Sequence, residues 1–127
     1  MACHDAHIAL SRDKNVNANT YEIVIGSWLN RQSVIRGCKQ CHHMDTAANQ
    51  NYPLDWSQYR PFWVSWTDNV IKVGAGHDVS LNRFLFWNVT SPHDGNYVAV
   101  AAGFGSTGTW KFEISKNTLR DDMFKHS

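Results

Sequence analysis

The strongest constraint on this chain is the rhythm of its apolar residues, which recur at every second position in short bursts and nowhere form a helical stripe of about 11 residues or more. Successive side chains of a strand point to opposite faces, so such bursts predict half-buried β-strands. Segments rich in Val, Ile, Phe, Trp or Tyr fit this at 7–11, 21–26, 32–36, 59–66, 70–73, 83–89, 97–102 and 109–114. Polar turn formers separate them: 13–19, the tight hairpin Thr67-Asp68-Asn69, and Ser91-Pro92-His93-Asp94-Gly95-Asn96. About eight strands of this kind predict an all-β fold, an antiparallel β-sandwich or jelly roll. The 127 residues suit one such domain over 1–115, followed by a polar tail at 116–127. Residues 37–57 are expected to form one long polar loop.

Several function classes lose ground at once. Twelve Lys and Arg against eleven Asp and Glu give a formal charge of +1, so no basic excess draws the chain to nucleic acid. The longest apolar run, 97–104, falls far short of the roughly 20 residues of a membrane span, and a soluble protein without membrane insertion is expected. The opening Met-Ala-Cys-His-Asp has no basic region followed by an apolar stretch, so no signal peptide is visible. Neither a dinucleotide fingerprint nor a phosphate loop is present; Gly74-Ala75-Gly76 and Gly103-Phe104-Gly105 are read as tight turns.

Residue types able to do chemistry are present without the company they need. Cys38-Lys39-Gln40-Cys41-His42 has the spacing of a c-type haem attachment site, yet it lies in a polar loop of a β-rich chain. Zinc could draw on Cys38, Cys41 and His42 or His43 with Cys3, His4 or His7, but a second Cys pair is lacking. The plainer readings are a Cys38–Cys41 bridge, a link from Cys3 to one of them, or three thiols. Glu22 and Glu113 are the two glutamates, and both are expected to face solvent from strands. No Ser or Cys sits in the setting of an activated nucleophile, so no catalytic residues, cofactor or metal are assigned.

Six tryptophans are the positive signal. Trp63 and Trp66 have opposite parity on one strand, so one of them is expected to be exposed. An exposed indole covers the apolar face of a sugar while Asn, Asp, His and Arg bond its hydroxyls. His77, Asp78 and Asn82 stand near Trp87 in sequence and form one candidate cluster. A hydrophilic loop beside a core Trp is the plainer reading of the same residues.

Longer segments carry a family likeness. Residues 2–11, then 21–30 with Ser33-Val34-Ile35-Arg36, resemble the opening of the farnesoic acid O-methyltransferase-like domain. Tyr59-Arg60-Pro61-Phe62-Trp63-Val64-Ser65-Trp66, Val73-Gly74-Ala75-Gly76, Phe84-Leu85-Phe86-Trp87 and 97–112 resemble its later segments, in order, so the likeness covers roughly 2–115. The loop carrying Cys38 and Cys41 departs from it. The resemblance implies a β-rich, extracellular-type module of invertebrate proteins, and small marine agglutinins are similar to single-domain members. It also implies methyl transfer by name. A methyltransferase must bind S-adenosylmethionine, for which the sequence offers no Gly-rich strand-to-helix turn.

The family-like polar positions Asp5, His7, Asn30, Ser33, Arg36 and Arg60 make a second candidate cluster, with Trp28 or Trp66 for stacking. Its plainer reading is an Arg–Asp5 ion pair holding the first strand. The expectation is therefore a non-enzymatic, metal-independent lectin, secreted or extracellular, that recognises glycans of glycoproteins or glycolipids. Avidity from weak sugar sites calls for a homodimer or tetramer. A protein-binding adhesion module is the first rival and the methyltransferase the second.

Overall fold

The computed structural model describes residues 2–12, 20–38, 44, 46–67, 69–89, 97–103 and 108–111. Eight strands among them form two antiparallel sheets. The larger has the order β4-β3-β2-β1-β8, built from Thr46–Asn49, Gln32–Arg36, Thr20–Gly26, Ala6–Ser11 and Tyr97–Ala102. The smaller is the meander β5-β6-β7: Phe62–Thr67, Val70–Ala75 and Arg83–Asn88. β3 and β4 lie against β7 across the interface, so the chain is a β-sandwich, as its period-two pattern predicts.

The alternation decides what is buried. Ala6, Ile8 and Leu10 of β1, Tyr21, Ile23 and Ile25 of β2, and Ile35 of β3 meet Ile71 and Val73 of β6 and Leu85 of β7 in one core. Register locks this in place: Ile23 opposes both Ile8 and Ile35, and a slip of one residue would turn every one of these side chains outward. The β5–β6 hairpin closes as predicted, with Thr67 opposite Val70 and Asn69 in a left-handed conformation (φ 61) that Asn tolerates.

Three expectations need correction. β5 begins at Phe62 rather than at 59, because Pro61 has no N–H to give a ladder; its carbonyl instead accepts a bond from Gly76 N. Within the expected 37–57 loop, Thr46–Asn49 is a short strand on β3. Neither Trp63 nor Trp66 is exposed, since Trp63 is buried against Gly74 and donates Nε1–H to the Leu81 carbonyl, while Trp66 packs against the core. Of the 109–114 strand, only 109–111 are described, and Gly108 bridges Ala2 just before it. The 116–127 tail lies outside the described residues.

Candidate functional site

The residues that carry chemistry gather on the outer face of the larger sheet. With Ile8, Ile23 and Ile35 turned to the core, parity sends His7, Glu22 and Arg36 to the opposite face of β1, β2 and β3. Glu22 and Arg36 are register partners, and Arg36 Nη1 donates to Glu22 Oε1 at 3.2 Å. His7 Nδ1 lies 3.4 Å from Glu22 Oε2, so a nitrogen stands beside each carboxylate oxygen. The side chains are only 12% (His7), 5% (Glu22) and 14% (Arg36) exposed. A carboxylate so deeply placed is tolerable only with such partners. The expectation that Glu22 faces solvent is therefore overturned.

The turn after β2 adds an aromatic wall. Ser27–Asn30 form one helical turn whose inner residues have left-handed dihedrals: Trp28 (φ 47, ψ 65) and Leu29 (φ 58, ψ 41), with Asn30 at φ 62. Non-glycine residues pay roughly 1–2 kcal/mol each for that conformation. Surrounding bonds hold it: Asn30 Nδ2 donates to the Leu54 carbonyl at 2.9 Å and Leu54 N donates to Asn30 Oδ1 at 3.1 Å. The strained turn leaves Trp28 53% exposed, with the Arg36 guanidinium 5.9 Å from its ring centroid. Arg36 Nε is buried and has no hydrogen-bond partner among the described residues. A cation held beside one half-exposed indole can receive a ligand that offers an apolar face and hydroxyl oxygens.

Of the expected site residues, His7, Trp28 and Arg36 come together here. Asp5, Arg36 and Arg60 do not: Asp5 Oδ2 pairs with His4 Nδ1 at 2.6 Å, and Arg60 bonds the Tyr52 carbonyl and Asp55. Asn30 spends its amide on Leu54, and Ser33 Oγ bonds Gln50 Oε1. His77 and Trp87 also part company. Trp87 pairs with Ile71 and stacks edge-on against Tyr21 with ring centroids 5.6 Å apart, on the core side. The loop holding His77, Asp78 and Asn82 leaves from Ala75, four residues along β6, about 13 Å away at strand spacing. Asp78 caps its own loop, accepting from Ser80 N at 2.9 Å and Ser80 Oγ at 2.5 Å, bonds that hold its carboxyl below the usual range.

Sequence reasoning missed Glu22. The signal was present: Val24 and Val34 share its face and are buried too, which marks a strand covered on both sides rather than one with a wet face. Cys38 is in a disulfide, which removes its sulfur from the haem and zinc readings; Cys41, His42 and His43 lie outside the described residues. Among the described residues no group of three or more His, Cys, Asp or Glu is arranged to hold a metal ion.

Comparison with known proteins gives one family. The model described as farnesoic acid O-methyl transferase matches residues 1–116. A protein of Haliotis asinina described as "Uncharacterized protein 5" is 34% identical over 85 residues, which is 66% of this chain and 48% of that protein. The chain thus spans about half the length of that curated relative. No solved structure matches it.

Proposed function

Starting from a chain that belongs to the farnesoic acid O-methyltransferase family, we propose that this member is a carbohydrate-binding module rather than a catalyst. One observation carries the reading: the half-exposed Trp28 ring lies beside the Arg36 guanidinium, 5.9 Å from its centroid. The indole takes the C–H face of a sugar, Arg36 donates to a ring or hydroxyl oxygen, and Glu22 and His7 fix the guanidinium in place. No metal is required by this chemistry. The targets are glycans of glycoproteins or glycolipids outside the cell, and two or four copies of the chain supply the avidity that one shallow site lacks.

The family's name raises the second reading. Adenosyl cosubstrates are commonly held at a Gly-rich strand-to-helix turn with right-handed helical N–H groups. The helical turn among the described residues, Ser27–Asn30, is left-handed, so this part of the chain does not offer that arrangement and no methyl-transfer step is built on it.

A glycan-array screen with and without chelator tests the proposal. Chelator-resistant binding to a defined terminal sugar, lost in Trp28→Ala, is the expected result. A blank array with folded protein would move the function to protein recognition. Saturable calorimetric binding of S-adenosylmethionine would return it to the enzyme.

A further inference from the structure

A second surface, beside the Trp28 turn, is built differently. The segment from Tyr52 to Arg60 carries three exposed aromatic residues, Tyr52, Trp56 and Tyr59, and three cations lie on it. Arg31 Nη2 donates to Tyr52 Oη at 2.6 Å, with the guanidinium 5.1 Å from that ring's centroid. Arg60 Nη1 donates to the Tyr52 carbonyl at 2.6 Å. Lys111 Nζ sits 4.2 Å from the Tyr59 ring centroid.

The single acid in this segment is already committed. Asp55 accepts from Ser57 N, Ser57 Oγ and Gln58 Nε2, and it pairs with Arg60 at 3.4 Å. Arg31 and Lys111 have no ion-pair partner among the described residues. This segment of a chain of formal charge +1 thus carries two cations that no acid among the described residues pairs. Stacking on tyrosine holds these long side chains in place before any ligand arrives, which lowers the entropic cost of binding.

We propose that Arg31, Arg60 and Lys111 form a binding surface for a sulfated polysaccharide, with the Trp56 ring stacking on a sugar between sulfate groups. Two of the cations, Arg31 and Arg60, bond Tyr52 and the third lies on the Tyr59 ring, an arrangement that suits an extended polyanion better than a single small anion. Trp56 is 75% exposed, the more open of the chain's two solvent-facing indoles among the described residues. Nucleic acid fits less well: Arg31 and Lys111 cover the Tyr52 and Tyr59 rings that bases would stack on, and three cations are few for a phosphate backbone. This surface uses none of Trp28, Glu22 or His7, so it stands or falls separately from the sugar site proposed above.

The test is retention of the full chain on immobilised heparin and on desulfated heparin at low ionic strength. The protein should be held by the first, elute with salt, and pass through the second. Lys111→Gln removes a charge that makes no hydrogen bond among the described residues and so leaves the fold intact; it should lower the eluting salt concentration. Together with Arg31→Gln it should weaken affinity about tenfold, as expected for lost contacts to a screened polyanion. Trp28→Ala should elute unchanged. Absence of retention, equal retention on desulfated resin, an unaltered double variant, or displacement by single-stranded DNA as efficient as by a heparin fragment would each overturn the proposal.

Discussion

Trp63 and Gly74 are cross-strand partners, and the indole fills the space that a side chain at 74 would take. A Cβ built on Gly74 would overlap ring atoms of Trp63, which is itself pinned by its Nε1–H bond to Leu81. Gly74→Ala must therefore displace a buried ring on the outer side of the small sheet. Overpacking of this kind costs about 1–3 kcal/mol. Urea denaturation followed by tryptophan fluorescence checks it, and unchanged stability would mean that the indole has room to move.

At Leu29 the opposite sign is expected. This residue is 80% exposed in a left-handed conformation (φ 58), so its side chain gains little burial while its backbone bears strain. Leu29→Asn should raise stability by roughly 0.5–1 kcal/mol, because Asn tolerates that conformation. A loss of stability in the same denaturation experiment would show that the leucine is packed.

The Glu22–Arg36 pair makes a stronger demand. Glu22→Leu leaves a mostly buried guanidinium without its carboxylate and should cost about 3 kcal/mol or more, whereas Glu22→Leu with Arg36→Met should cost much less. A double-mutant cycle reads the difference. Simple additivity of the two single variants would indicate that the ion pair contributes nothing beyond its parts.

These residues also show how far the sequence could be read. The bounds of β3 and β8 were legible because strand-favouring Val, Ile and Tyr sit beside turn formers such as Gly37 and Asn96. β4 was not, since Thr-Ala-Ala-Asn has no strand preference and is held by its ladder to β3, a tertiary effect. Trp28 and Arg36 share a candidate cluster in the sequence, but Trp28 stands there as an alternative to Trp66, and the choice depends on three non-glycine residues held in left-handed geometry. Family likeness and opposite charge group Arg60 with Asp5. Loop closure gave it Asp55, five residues away, in a contact that parity along strands does not reveal.

Acid should loosen the Tyr52–Arg60 segment late. Hydrogen bonds from the Ser57 hydroxyl and amide, then Gln58, with the Arg60 charge, hold the Asp55 carboxyl down at about 2, against an ordinary 3.8. A depressed carboxylate contributes stability that is complete above the unfolded-state value and is lost as pH falls through the folded one. The Ser57 amide resonance should thus stay constant down to about pH 4 and shift with a midpoint near 2. Asp55→Asn should abolish that titration, and a midpoint near 4 in the unaltered protein would refute the bonding pattern.

The sugar site makes the last demand on Trp28. If its exposed face stacks on a pyranose, Trp28→Ala should abolish measurable glycan binding while Trp28→Phe keeps part of it, since a smaller ring retains a face but less contact area. Arg36→Lys separates stacking from hydrogen bonding: the charge remains, but the planar guanidinium that donates to Glu22 and lies beside the Trp28 ring is gone. Titration of each folded variant with the glycan found on the array should rank affinities as unaltered protein, then Trp28→Phe and Arg36→Lys, then Trp28→Ala. Equal affinities throughout would place the site elsewhere. Losses in Arg36→Lys alone would make the guanidinium, and not the indole, the group that recognises the sugar.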